Sequence, residues 1–124
     1  MVRATTVLVV DDEPQLRELM KVTLGGGYRF LEADDVDAAL AAIRTRPDLV
    51  LLDVMLPGGS GLEILREIRR DPELDRTPVV VISAWQATED RRIALDEGAD
   101  AFLAKPFRIE ELTAIVRELT RSTS

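Results

Sequence analysis

Three apolar runs without polar alternation constrain the fold more than any other feature of this sequence. They cover residues 7–10, 49–52 and 79–82 and consist of valine, leucine and isoleucine. Uninterrupted runs of this length are typical of strands buried on both faces, which occur mainly in parallel sheets. Two weaker strand candidates, residues 28–33 and 101–104, also contain charged or small residues. We expect these two to form the edges of the sheet.

The segments between the runs carry apolar residues at helical spacing. Four amphipathic helices are predicted, at residues 16–24, 36–43, 64–68 and 109–119. A fifth, at about residues 88–97, has few large apolar side chains and should be loosely docked. Asp35 and Ser60 are suited to cap helix starts, and Gly25 and Gly98 follow helix ends. Five repeats of strand and helix predict an α/β fold, a doubly wound five-stranded parallel sheet with helices on both faces.

The composition excludes several classes of function. The chain has 124 residues with no His and no Cys, so it can form neither a Ser-His-Asp triad nor a Cys/His zinc site. Its net charge of −7 disfavours direct binding to nucleic acid. It lacks a membrane-length apolar stretch and a signal-peptide pattern, from which we expect a cytoplasmic protein. We expect one domain at residues 5–121, with no output domain in this chain.

Polar residues follow the predicted strands at one edge of the sheet. Asp11 and Asp12 follow the first strand, Asp53 the third, Ser83 ends the fourth and Lys105 follows the fifth. Carboxyl ends of parallel strands share an edge, where ligands bind in such folds. Several carboxylates there would repel one another, and oxygen ligands without imidazole or thiolate favour Mg²⁺. Each residue alone has a simpler explanation as a turn or a solvated side chain, but their convergence predicts a site.

The chain resembles the receiver domain of two-component response regulators over about residues 6–121. The similar segments are VLVVDDE at 7–13, LVLLDVMLPGGSGLE at 49–63, VVVISA at 79–84 and GADAFLAKPF at 98–107. The resemblance implies the flavodoxin-like (βα)5 topology with strand order 2-1-3-4-5, an order taken from the family rather than from the spacing.

The same resemblance implies roles for individual residues. Asp53 would be the phosphoacceptor, and Asp12 would bind Mg²⁺ directly while Asp11 binds it through water. Asp53 and the backbone carbonyl of Met55 would complete the protein's share of the metal shell. Lys105 would neutralise a phosphoryl oxygen, and the peptide bond that follows it, Lys105–Pro106, would be cis and would aim the Lys inward.

The resemblance also implies roles in a conformational switch and in the lifetime of the phosphoryl group. Ser83 would donate its hydroxyl to a phosphoryl oxygen, and Ala84 would leave the phosphoryl group room. Phe102 would be an aromatic switch residue, although an isolated Phe on an edge strand is more often part of the core. Met55 and Trp85 would flank the path of the hydrolytic water, and both are large and largely apolar.

The implied function is a signalling switch rather than an enzyme, with self-phosphorylation and self-dephosphorylation as its activities. The donor would be a histidine kinase or a phosphotransfer protein. The output face would comprise the fourth helix, fifth strand and fifth helix, acting on a downstream protein or an output domain outside this chain. Ala101 and Ile115 replace charged residues typical of the winged-helix branch's dimer, so we expect a monomer or a differently built phosphorylation-dependent dimer.

Two alternatives have less support from the sequence. A Mg²⁺-dependent phosphatase of the haloacid dehalogenase type would carry a second Asp two residues after the acceptor, where this chain has Met55. A pseudo-receiver that acts only as a binding module would lack acidic or Lys positions of the site, and none is missing here. The glycine-rich segments at 25–27 and 58–61 do not match dinucleotide or nucleophile-elbow motifs and are better explained as turns and caps.

Overall fold

The apolar runs form the centre of a parallel sheet in the computed structural model, which describes residues 4–84 and 87–121. Its strands are β1 (Thr5–Val10), β2 (Tyr28–Ala33), β3 (Leu49–Asp53), β4 (Val79–Ser83) and β5 (Ala101–Ala104). The spatial order is β2-β1-β3-β4-β5, all parallel. The predicted fold class and strand order are therefore confirmed, and the two weaker strand candidates do lie at the edges.

Five α-helices alternate with the strands. They are α1 (Pro14–Leu24), α2 (Val36–Ala42, continued by a 3₁₀ turn at Ile43–Thr45), α3 (Gly61–Arg70), α4 (Ala87–Asp96) and α5 (Ile109–Arg121). The predicted caps are confirmed: the Asp35 carboxylate accepts from the Ala38 N–H at 2.7 Å, and Ser60 forms a capping box with Glu63. A short antiparallel hairpin, Met55–Leu56 with Gly59–Ser60, joins β3 to α3.

The core has two layers because side chains alternate across the sheet. On one face Leu8, Val50 and Val81 pack with residues of α2 and α3. On the other, Val7 and Leu51 belong to a cluster that includes residues of α1 and α5. Every residue of β3 and β4 is buried, which explains why these strands have no polar alternation.

Helix α4 has few apolar contacts and is held by polar contacts at its C-terminal end. Ala94 is its one fully buried side chain among those that the structure describes, and Leu95 is 41% exposed. Just after its C-terminal end, Glu97 accepts two hydrogen bonds from Arg66 of α3, at 2.7 and 2.9 Å. Arg69 of α3 donates to the Gly98 carbonyl at 2.9 Å. Polar contacts with α3 therefore fix this end, while few apolar contacts hold the helix itself, as the sequence predicts.

The parallel arrangement brings the carboxyl ends of β1, β3, β4 and β5 to one edge. Among the described helices, none has the length and apolar character needed to cross a bilayer.

Candidate functional site

A lysine links two buried carboxylates at the carboxyl edge of the sheet. The Lys105 ammonium nitrogen lies 2.9 Å from Oδ2 of Asp53 and 3.1 Å from Oδ2 of Asp11. Asp11 is fully buried and Asp53 is 4% exposed. The Lys105–Pro106 peptide bond is cis. Three residues that are far apart in the sequence thus form one compact charged cluster.

The position of Asp53 depends on the close approach of α3. Asp53 ends β3, and its Oδ1 accepts a hydrogen bond from the Met55 N–H at 3.2 Å. A Cβ atom added to Gly61, the first residue of α3, would lie 1.9 Å from the Asp53 carbonyl oxygen. Glycine at position 61 therefore permits the helix to start directly beside the acidic residue. From the sequence Gly61 was predicted to belong to a turn or cap, and its contact with Asp53 was not predicted.

Three consecutive acidic residues lie beside this pair. The carboxylate oxygens of Asp11, Asp12 and Glu13 lie within 4.8 Å of one another. Asp12 and Glu13 are exposed, and the Glu13 N–H donates to Oδ1 of Asp11 at 2.8 Å. Glu13 also lies 3.9 Å from the Lys105 ammonium. Glu13 was not predicted as a site residue, although its place in the DDE run was a signal that could have identified it.

Burial and charge act in opposite directions on Asp53. Burial raises the pKa of Asp53 to about 6, against the hydrogen bond and positive charge of Lys105, which lower it, while the Asp11 charge raises it further. For Lys105, burial lowers the pKa, but the hydrogen bonds and charges of Asp53 and Asp11 outweigh it, so that the pKa is raised. Lys105 is therefore a firmly charged partner for two acidic groups that repel each other.

The donor set at this edge fits a hard divalent cation. It offers carboxylate oxygens from Asp11, Asp12 and Glu13, with Asp53 joined to Asp11 through Lys105. The sequence has no His or Cys to supply a nitrogen or thiolate ligand, and such an oxygen set is what Mg²⁺ prefers. Asp12 and Met55 line one shallow depression beside the hairpin that follows β3. Of the predicted ligand carboxylates, Asp12 is exposed, whereas Asp11 and Asp53 are buried beside Lys105. Glu13 is an additional exposed oxygen donor next to Asp12.

Ser83 ends β4 and is fully buried. Its hydroxyl donates a hydrogen bond to the Asp90 carboxylate of α4. Its carbonyl accepts from the Lys105 N–H at 2.9 Å, which ties the end of β4 to the start of the loop that carries Lys105. Ala84 follows Ser83 and is exposed. Asp90 was not predicted from the sequence, because one of several acidic residues on a poorly apolar helix gives no signal of a buried partner.

Of the remaining predicted residues, Phe102 and Met55 lie in different places. Phe102 on β5 is partly buried, contacts the core layer on the α2 and α3 side, and lines a depression with Arg91 of α4 and Ile115 of α5. The Met55 side chain is 61% exposed. Trp85, the second residue predicted to tune dephosphorylation, lies outside the described residues.

Comparisons with known proteins agree on one family. The sequence model described as "Response regulator receiver domain" matches residues 7–117. The phosphate regulon transcriptional regulatory protein PhoB of Pseudomonas aeruginosa is 43% identical over 121 residues, which cover 95% of this chain and 52% of PhoB. The DNA-binding response regulator MtrA of Mycolicibacterium smegmatis is 43% identical over 117 residues, covering 93% of this chain and 50% of MtrA.

The solved structures give the same result. The receiver domain of the Francisella response regulator 1452 is 33% identical with a TM-score of 0.87, covering 97% of this chain and 99% of that one. The chain spans about half the length of the curated relatives described above.

Proposed function

This chain belongs to the response regulator receiver domain family, and on that premise we propose that it is a phosphorylation-controlled signalling switch whose phosphoacceptor is Asp53. The observation that carries the proposal is the position of Lys105, whose ammonium contacts both Asp53 and Asp11. A fixed positive charge beside a nucleophilic carboxylate is suited to bind a phosphoryl oxygen. Residues 5–121 would form the whole receiver unit.

The chemistry is a transfer of one phosphoryl group. An oxygen of the Asp53 carboxylate attacks phosphorus in line, the donor's P–N bond breaks as the P–O bond forms, and the imidazole of the donor leaves with the electron pair. The product is an acyl phosphate on Asp53. Since the chain has no His, the phospho-His must come from a histidine kinase or a phosphotransfer protein. Apart from its own phosphorylation and dephosphorylation, the chain needs no enzymatic activity.

Asp11, Asp12, Asp53 and the Met55 backbone carbonyl would hold Mg²⁺, which when bound neutralises charge on the transferring phosphoryl group. Asp53 is held by the Met55 N–H, and Lys105 supplies the second positive charge. Catalysis then rests on positioning and electrostatics.

The signal would leave the site through Ser83. In this structure its hydroxyl donates to Asp90 on α4. A phosphoryl group on Asp53 would offer new acceptor oxygens, so Ser83 would turn toward them and release Asp90. The space vacated would let the Phe102 ring turn inward. The α4, β5 and α5 face would thereby change its shape.

The partners follow from the same premise. The chain matches about half the length of regulators described as transcriptional or DNA-binding, so the output would reside in a downstream protein or in a domain outside these residues. The net charge of −7 makes the receiver itself a poor ligand for nucleic acid.

Intact-mass measurement after incubation with acetyl phosphate and Mg²⁺ tests the proposal. Wild type should gain one phosphoryl mass, and Asp53→Asn should gain none because an amide is not a nucleophile. The matched control is Asp48→Asn at the opposite edge of the sheet, which should be phosphorylated like wild type. A phosphoryl mass on Asp53→Asn would show that the acceptor is another residue.

A further inference from the structure

Arg17 of α1 contacts the loop that carries the acidic residues. Its Nη1 donates to the backbone carbonyl of Asp11 at 2.6 Å, and its Nε donates to Oε1 of Glu32 at 2.9 Å. The Arg17 side chain is only 16% exposed. Glu32 on β2 also accepts from Lys21 at 2.9 Å. The guanidinium is therefore fixed on two sides, unlike a solvated surface arginine.

The Asp11 carbonyl belongs to the peptide group that joins Asp11 to Asp12. A peptide group is planar, so fixing its carbonyl also fixes the direction in which the chain enters Asp12. The other groups of Asp11 have their own partners. Its N–H donates to the Ala33 carbonyl at 3.0 Å, and its Oδ1 accepts from the Glu13 N–H at 2.8 Å. The bond from Arg17 holds the remaining side of this loop, the side that leads to Asp12.

We propose that Arg17 is a positioning residue for the cation site: it holds the Asp11–Asp12 peptide group so that the exposed Asp12 carboxylate is preorganised to bind Mg²⁺, and Glu32 orients Arg17. This inference rests on the Mg²⁺ site proposed above. The bond from Arg17 is charge-assisted and stronger than a neutral one. Without this hydrogen bond the Asp12 backbone could adopt other orientations. Mg²⁺ binding would then have to offset the conformational entropy lost when Asp12 is fixed in one orientation.

The positive charge of Arg17 has the opposite effect on a cation. Charge alone would repel Mg²⁺, so removing it would strengthen binding. Loss of positioning should therefore raise the Mg²⁺ dissociation constant, whereas loss of the charge should lower it. Arg17→Lys retains the charge but loses the planar two-sided fork of donors, and Arg17→Met loses both.

Calorimetric titration with Mg²⁺ alone tests the inference. We expect the Mg²⁺ dissociation constant to rise about three- to tenfold in Arg17→Lys, the loss of part of one charge-assisted hydrogen bond, and to rise by less in Arg17→Met, where the lost positive charge offsets part of the effect. Glu32→Gln should weaken Mg²⁺ binding less, because an amide oxygen still accepts from Arg17. The control is Arg29→Lys, an exposed position on β2, which should leave Mg²⁺ affinity unchanged.

Thermal unfolding in EDTA separates positioning from general stability. If Arg17 is only structural, its variants will unfold at lower temperature but bind Mg²⁺ like wild type, and the inference fails. It also fails if Arg17→Met binds Mg²⁺ more tightly, which is the result of charge alone. Should Arg17→Met not fold, Arg17→Lys and Glu32→Gln still decide. The Mg²⁺ titration contains no phosphodonor. If a separate experiment showed that Asp53 is not phosphorylated, the proposed function would fail, but the measured effect of Arg17 on Mg²⁺ binding would still hold.

Discussion

The Lys105 ammonium lies 2.9 Å from Oδ2 of Asp53, yet this contact does not lower the pKa of Asp53 below its usual value. Burial dominates, and the pKa of Asp53 is raised from 3.8 to about 6. The folded protein therefore holds a proton on Asp53 at pH values where the unfolded chain has released it. Ionised Asp53 therefore lowers the free energy of unfolding at neutral pH, and a bound cation or phosphorylation can offset this destabilisation.

The first prediction concerns the pH dependence of stability without metal. Because the folded state binds more protons than the unfolded state between about pH 4 and pH 6, the contribution of Asp53 to unfolding free energy falls as pH rises through that window. At pH 7.5 Asp53→Asn should be more stable than wild type by up to about 3 kcal/mol, since one unit of pKa shift corresponds to about 1.4 kcal/mol. At pH 4 the two should be nearly equal.

Urea unfolding of both proteins in EDTA from pH 4 to pH 7.5 measures this difference. A constant gap between wild type and Asp53→Asn across that range would mean that Asp53 does not titrate there. The same series with saturating Mg²⁺ should stabilise wild type more than the Asn variant, since the variant has lost one ligand.

The second prediction concerns Lys105, the ion-pair partner of Asp53. Lys105→Met removes the hydrogen bond and the charge that hold the pKa of Asp53 down, so that pKa should rise further. Carboxyl ¹³C NMR titration of the metal-free protein measures it directly. The matched control is Arg76→Met, which removes an equal charge from the loop before β4, at the opposite edge. If both variants give the wild-type pKa, Lys105 does not govern Asp53.

The third prediction concerns the lifetime of the phosphoryl group. The Met55 side chain is 61% exposed beside the site and cannot orient water, and Trp85 is also large and largely apolar. The double variant Met55→Asn/Trp85→Glu should lose its phosphoryl group faster, on the order of tenfold for about 1.4 kcal/mol of barrier. The decay of phosphorylated mass after removal of acetyl phosphate measures it. Decay no faster than in wild type would mean that these side chains do not control the water.

The sequence was sufficient to predict features that follow from the sheet topology, but not the contacts that individual side chains make. The apolar runs identified β3 and β4 because both faces of those strands are buried, and parallel connection alone brings Asp11, Asp53 and Lys105 to one edge. Asp90 and Arg17 were not predicted. Their roles depend on how far each helix is rotated about its axis and which backbone group lies within reach, and hydrophobic periodicity does not fix either at this precision.

The fourth prediction concerns assembly. Ala101 on β5 and Ile115 on α5 are partly buried and cannot form ion pairs, although Ile115 lines the depression beside Phe102. The beryllofluoride-treated protein should be a monomer, or a dimer that does not use this face, by light scattering. Introducing a charge pair with Ala101→Asp/Ile115→Arg should favour association through the face. The single Ile115→Arg, with one unpaired charge, is the control. A wild-type dimer that Ile115→Arg disrupts would contradict the prediction.

The last prediction concerns the movement of α4. Ser83 holds Asp90 near the start of this helix, whereas Arg66 holds Glu97 just beyond its end. Breaking the first contact while the second persists should let the N-terminal part of α4 move about its C-terminal end. On adding beryllofluoride and Mg²⁺, hydrogen exchange should therefore change most within residues 84–104, and more at the start of α4 than near Glu97.

Two substitutions separate the parts of this switch. Ser83→Ala should accept a phosphoryl group yet show a smaller exchange change in α4, because no hydroxyl turns toward the phosphoryl oxygens. Asp90→Ala should raise exchange at the start of α4 without any activating ligand, since Ser83 is released in advance; Glu89→Ala, one residue earlier and exposed, is the matched control. Equal exchange with and without beryllofluoride in wild type would leave α4 outside the switch. An Asp90→Ala protein that exchanges like Glu89→Ala would show that the Ser83 contact does not restrain the helix.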